Sequence, residues 1–307
     1  MGAVRAYARE MSDTLRLAVA QNTVPDDPYD PRGLEAAGAG IRRLMTEAAA
    51  AGARLVQFPE GSLVYPDKRV VSVSGPDVLG EADWSRAAWD VIGEQAEAVT
   101  EHAGRLGIWT AFGAPRRLTA PNRPLNSYYV VSDQGRLVDR YDKRFLSNAE
   151  INYLFTPGDR PMVFEVDGFR FGTALCIEVE FPELFAEYEQ LGVDGVLLSL
   201  DGVATPPATI AQAYGAVYCY WVGFSVAAQN SPTAPSGIVA PGGAWLTRCT
   251  ADGRPGIAVA DLERGSADPA ITVALRYARP WRRTARAGLY APHIPHDDPR
   301  SDLRTTF

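Results

Sequence analysis

The sequence predicts a layered α/β fold with mixed β-sheets in one main domain. Two observations carry that expectation. Strand-like and helix-like hydrophobic periods alternate from Thr14 to Pro115, and two hairpin signatures then break the alternation. Helices between strands call for parallel pairing, whereas hairpins bring antiparallel neighbours, so the sheets must contain both.

The elements follow in order. TLRLAVAQ (14–21) alternates apolar and polar residues, as a strand with one covered face does. Pro31 opens an amphipathic helix carrying Leu34, Ala37, Ile41, Leu44, Met45 and Ala48 at helical spacing, and Gly52 closes it. ARLVQFPE is a strand ending at Pro59-Glu60. A second long helix is expected from Trp84 to Leu106, ending before Gly107, with IWTAFGAP as the next strand. NSYYVVSDQGRLVDRYDK reads as a hairpin around Asp133-Gln134-Gly135, and MVFEVDGFRFGTALC as another turning at Asp167-Gly168. GVDGVLLSLDG is a buried strand, ATIAQAYGAVY a helix, and CYWVGFSVAAQ, SGIVAPGGAWLT and GIAVADLE are further strands. Residues 1–13 read as a loose extension (Met11 is an alternative start), 14–280 as the domain, and 281–307 as an extended, Arg- and Pro-rich C-terminal arm.

Composition narrows the functional classes. The net charge is −7 and no dense Lys/Arg block occurs, which disfavours a nucleic-acid or anionic-membrane partner. No apolar run reaches the roughly 18 residues of a membrane-spanning helix. The three cysteines, Cys176, Cys219 and Cys249, are odd in number and lack a CxxC spacing. They exclude a disulfide framework and favour a reducing cytoplasm. The three histidines are His102, His293 and His296, and the last two lie in the polar tail. A His-rich metal site is therefore not expected, and a Cys–His scheme would have to use His102.

Three reactive groups each follow an apolar strand: Glu60 after RLVQFP, Lys143 after RLVDRYD, and Cys176 after FRFGTAL. Side chains at strand ends converge on the crevice of an open α/β sheet. A thiol with an ordinary pKa of about 8.5 needs a base or a positive neighbour to attack at neutral pH. Glu60 suits the base, Cys176 the nucleophile, and Lys143 the oxyanion partner together with the Ile177 backbone N–H.

These residues resemble the nitrilase, or carbon–nitrogen hydrolase, superfamily over about Leu15 to Tyr290. EAAAAGARLVQFPEGSL resembles the segment of the catalytic glutamate, RYDKRFL the lysine segment, and ALCIEVEFPELF the cysteine elbow. NSYYVVSDQGRLV, TPGD and SGIVAPGGAWL match in order as well. The resemblance implies a four-layer α-β-β-α sandwich, with Glu60 as general base and acid, Lys143 as oxyanion stabiliser and Cys176 as acylated nucleophile. It further implies Glu150 as a second glutamate that positions substrate and water. No metal or organic cofactor is implied, and the implied assembly is a homodimer or larger homo-oligomer. The implied reaction is hydrolysis of a small amide or carbamoyl compound.

Two positions depart from the family pattern. Phe145 stands where a histidine is common, and Ile177 where nitrile-hydrolysing members carry tryptophan, which tilts the expectation toward amides. Nitrile hydrolysis, acyl transfer to an amine and a non-catalytic scaffold are the alternatives. Tyr65 and Tyr153 are expected as pocket walls, Trp221 as core, and Cys219 and Cys249 as packing residues. Glu178, Glu180 and Glu183 are expected as helix-terminal charges, with Glu178 near the substrate. The basic segment RPWRRTARAGLY is expected to form interface salt bridges.

Overall fold

The computed structural model describes residues 13–202 and 207–302; the expected 1–13 extension and the alternative start fall almost wholly outside them. Two six-stranded sheets are stacked face to face. The first has strands β1 (Thr14–Gln21), β2 (Leu55–Gln57), β3 (Trp109–Arg116), β4 (Leu125–Val131) and β5 (Leu137–Asp142). The second has β6 (Val163–Val166), β7 (Phe169–Leu175), β8 (Gly195–Leu200), β9 (Trp221–Val226), β10 (Gly237–Val239) and β11 (Trp245–Arg248). The last strand, β12 (Gly256–Glu263), returns to the first sheet beside β1. The orders are β12-β1-β2-β3-β4-β5 and β11-β10-β9-β8-β7-β6. Each sheet has a parallel centre, β1-β2-β3 or β7-β8-β9, flanked by antiparallel pairs.

Helices α1 (Pro31–Ala50) and α2 (Trp89–Leu106) cover the outer face of the first sheet, and α3 (Pro182–Gln190) and α4 (Pro207–Tyr218) that of the second. The result is the expected four-layer α-β-β-α sandwich. Asp30 caps α1 by accepting the Arg32 N–H at 3.0 Å, and Pro31 follows at its first turn. The space between the sheets is apolar: Leu17, Leu55 and Tyr128 pack against Phe171, Leu197 and Trp221. Polar bridges cross it near Gln57. The Gln57 amide donates to Leu198 O (3.0 Å), Ser199 Oγ (3.0 Å) and Gly223 O (3.1 Å), tying β2 to β8 and β9. It fixes the two sheets in register immediately below the ends of β2 and β8.

Two expectations are corrected. The helix expected from Trp84 begins at Trp89; residues 84–86 form a separate turn capped by Asp83, and Ala87 is extended. Trp84 is held by its Nε1 donating to Leu154 O (2.8 Å) and by its ring against Phe155 at 5.5 Å. That tertiary packing overrides the local helical period. The tail is helical rather than extended: α5 (Pro269–Val273) leads through a further turn into α6 (Arg279–Thr284). Its arginines pair within the chain. Arg279 meets Asp194 at 3.2 Å, and Arg282 and Arg286 meet Glu189 at 2.8 and 2.7 Å. Among the described residues no helix is long and apolar enough to cross a membrane.

Candidate active site

The ends of β2, β5 and β7 meet at one edge of the sandwich. Glu60 is carried just beyond β2, where the Phe58 N–H donates to Ala111 O at 2.8 Å and keeps the chain on the sheet. The Glu60–Gly61 peptide then runs directly over Gly113, where a Cβ would collide with Gly61 N. Glycine at 113 lets the glutamate cross the sheet edge. Lys143 follows β5 and is held by its N–H to Asn126 O (2.9 Å), while its own carbonyl accepts the Gly158 N–H (2.8 Å). The TPGD segment thus anchors the lysine backbone.

The three expected charged groups form one buried cluster. Lys143 Nζ donates to Glu60 Oε1 at 2.8 Å and to Glu150 Oε1 at 2.7 Å, and all three side chains are essentially inaccessible to solvent. Asn126 Nδ2 donates to the same two oxygens, at 2.8 and 3.2 Å. The Tyr65 hydroxyl donates to Glu150 Oε1 (2.9 Å), and the Ser147 N–H to Glu150 Oε2 (2.7 Å). Glu60 Oε2 accepts the Asp201 N–H at 3.2 Å. Each carboxylate oxygen therefore has a donor, as burial requires.

Cys176 stands at the turn after β7 with φ +47°, a left-handed backbone that a non-glycine residue adopts at a cost of about 1–3 kcal/mol. Such strain is a recurrent property of elbows that present a nucleophile. Its Sγ lies 3.9 Å from Gly202 O. Cys176 opens the short helix 176–180 and Ile177 is its second residue, where the first N–H groups have no partner within the helix.

Electrostatics divide the groups. Burial pushes the Cys176 thiol well above its ordinary range; Glu60 and Glu150 add to the rise and Lys143 opposes it. Burial thus favours the thiol form of the sulfur over the thiolate. Burial works against the Lys143 ammonium, but Glu60 and Glu150 outweigh it and hold the lysine charged. Burial raises Glu60, with Lys143 opposing and Glu150 adding. Burial also opposes ionisation of Glu150, yet Lys143 and the Ser147 hydrogen bonds leave it below its ordinary value. The two carboxylates are thus shifted in opposite directions, Glu60 up by burial and Glu150 down by Lys143 and Ser147.

Beside the cluster is a cavity of about 310 Å³ whose walls include Tyr65, Glu150, Asp201 and Asn230. Tyr65 is a wall, as expected. Tyr153 is not among the lining residues; it packs against the cluster of Val71, Ala82, Leu154 and Phe155, and its neighbour Leu154 reaches the cavity instead. Glu178 is also corrected. Its carboxylate is fully buried, accepting from Tyr141 OH (2.8 Å), Arg144 N (2.7 Å), Phe145 N (3.0 Å) and Leu175 N (2.7 Å). It joins the lysine segment to the cysteine turn and does not face substrate. As a helix-terminal charge it is as expected: Glu178 sits in the first turn of the short helix 176–180, as Glu183 does in that of α3. Phe145 packs its ring on Phe181 at 4.4 Å.

Trp221 is core, and Cys219 is buried. Cys249 has its sulfur 3.8 Å from Val19 O, on β1. His102 bonds to Thr46 across α1 and α2, so it takes no part in this cluster. Sequence reasoning missed Asn126 and Asp201. The first lay inside the quoted NSYYVV motif, and the second directly follows the apolar strand GVLLSL, so the strand-end rule that singled out Glu60 applies to it equally.

Comparison with known proteins bears on the family and the fold. The carbon–nitrogen hydrolase family model matches residues 16–272. A hydrolase from Mycobacterium tuberculosis is 28% identical over 190 residues, covering 58% of this chain and 58% of that protein, so the chain matches little more than half of its relative's length. A mutant of an amidase of the nitrilase superfamily from Nesterenkonia AN1 has the same fold, with a TM-score of 0.67 at 19% identity, covering 91% of this chain and 97% of that one. A second variant of that amidase, with a TM-score of 0.65 at 18% identity and coverage of 88% and 96%, shows covalent addition of the acetamide moiety of fluoroacetamide at its active site cysteine. With a family model spanning most of its length and the matching fold, this chain belongs to the carbon–nitrogen hydrolase family.

Proposed function

We propose that the protein is a thiol hydrolase that cleaves the non-peptide C–N bond of a small linear amide or carbamoyl compound through a thioester on Cys176. The observation that carries this reading is the Lys143 ammonium held between Glu60 and Glu150 beside a strained cysteine elbow. The neutral thiol needs a base, and Glu60, raised by burial, is the carboxylate suited to accept its proton. Sγ then bonds to the amide carbon, and the carbonyl oxygen takes up negative charge against Lys143 and the Ile177 N–H. Glu60 delivers the proton to the nitrogen as the C–N bond breaks, releasing ammonia or an amine. A water, deprotonated by Glu60 and oriented by Glu150, attacks the thioester. The C–S bond breaks, the acid leaves, and the proton returns to sulfur.

The amide preference rests on Ile177 and on the amidase identity of the structural neighbours. Nitrile hydrolysis and acyl transfer to an amine are the rival chemistries. A reactive thiol without disulfides suits a reducing cytoplasm. The exposed Tyr277 and Trp281, one helical turn apart, support a homodimer or larger assembly. Neither nucleic acid, membrane nor cofactor has a part in the scheme. Ammonia or amine release from a panel of primary amides, carbamoyl compounds and nitriles tests it. Release from amides supports the reading; release from nitriles alone, or transfer to an added amine in place of hydrolysis, overturns it.

A further inference from the structure

Asp201 ends the cavity wall in an unusual state. It directly follows β8, so it sits at the same sheet edge as Glu60 and Cys176. Both of its backbone groups are engaged: the N–H donates to Glu60 Oε2 at 3.2 Å, and the carbonyl accepts the Asn230 amide. The backbone on both sides of Asp201 is therefore held in place. The carboxylate, by contrast, meets no donor among the described residues, although it is largely surrounded by protein and lines the cavity.

The other charges of the cavity do not compensate it. Glu150 is committed to Lys143, and Asp67 accepts the N–H groups of Arg69 (2.7 Å) and Val70 (3.3 Å). Asp26, at the exposed rim, adds negative charge that acts on Asp201. Lys68 is the one cation lining the cavity among the described residues, and it too is exposed. Asp201 is half-buried, so its carboxylate is only partly hydrated, and the cost of that lost hydration is relieved when a cation or strong donor arrives. Its carboxyl is pushed up to about 7, first by burial and then by Glu60, which is the response of an acid that lacks such a partner.

We propose that Asp201 is a specificity-determining residue whose carboxylate receives an ammonium or guanidinium group carried by the substrate amide. The substrate class narrows accordingly to small cationic amides. This inference rests on the amide-hydrolase reading, which supplies the reacting bond, but charge selection is separable from turnover.

The test compares short ω-amino amides of increasing length with neutral alkyl amides and ω-carboxy amides of matching length. kcat/KM is measured on the wild-type chain, Asp201→Asn and Asp201→Glu, and binding of the same compounds is measured by calorimetry on Cys176→Ala with and without Asp201→Asn. The expected result is a preference for the best-fitting cationic amide over its neutral isostere of about tenfold or more. That ratio should collapse in Asp201→Asn and survive in part in Asp201→Glu. An equal cationic-to-neutral ratio with Asp or Asn at this position would overturn the proposal, as would a wild-type preference for neutral or carboxylate-bearing amides. If no amide is turned over, the hydrolase reading fails while the binding ratios still decide the role of Asp201.

Discussion

The Lys143 ammonium donates to Glu150 Oε1 at 2.7 Å, slightly closer than to Glu60 Oε1 at 2.8 Å, and none of the three side chains is open to solvent. One cation therefore serves two carboxylates. In the proposed mechanism Glu150 keeps Lys143 charged and aimed while Glu60 takes and returns a proton. Glu150→Gln is expected to lower kcat by about 10²-fold or more while KM moves little, because the interaction it supports grows in the transition state. Steady-state kinetics on any turned-over amide check this, and a KM effect without a kcat effect would count against it.

Lys143→Met removes the cation and leaves two buried carboxylates facing each other. Breaking a buried ion pair on one side costs about 3–5 kcal/mol. Urea unfolding of the variant should show a loss of that order at neutral pH, together with loss of activity. A stability within about 1 kcal/mol of wild type would mean that the carboxylates are not ionised together.

Glu178 predicts a structural phenotype at a position close to the nucleophile in sequence. Glu178→Ala strands the Tyr141 hydroxyl and the Arg144, Phe145 and Leu175 N–H groups. At about 1–3 kcal/mol for each buried group left unsatisfied, the loss should be at least about 4 kcal/mol. Glu178→Gln keeps one acceptor oxygen and should lose less. Thermal unfolding distinguishes the two; equal small effects would mean that the buried bonds contribute little.

Asp201 predicts a pH signature in stability. Its folded pKa of about 7 stands above the ordinary 3.8, so the folded chain binds this proton more tightly than the unfolded chain. The associated stabilisation is complete below the unfolded value and is lost as pH rises through about 7. Asp201→Asn has no such loss, so its Tm relative to wild type should climb between pH about 4 and about 8 and then level off. A difference that stays flat across this range would show that Asp201 titrates normally.

Much of this arrangement was legible in the sequence because it is local. Glu60, Lys143 and Cys176 each end an apolar strand, and Asp133-Gln134-Gly135 and Asp167-Gly168 mark their hairpins with turn chemistry. The contacts that complete the cluster are not local. Asn126 reaches Glu60 across 66 positions and Asp201 does so across 141, so only the folded chain brings them together. Trp84 has helical spacing yet leaves the helix because Leu154 O and Phe155 hold its ring. The tail's arginines suggested an arm because their acidic partners, Asp194 and Glu189, lie some 85 to 97 residues earlier.

The central claim is covalent chemistry at Cys176, and it is tested most directly by acid-quenched peptide mass spectrometry during turnover of an amide. The mechanism predicts an acyl group on the Cys176 peptide, and loss of ammonia release by about 10³-fold or more in Cys176→Ala. Undiminished release by Cys176→Ala, or an acyl adduct carried only by Cys219 or Cys249, would contradict it.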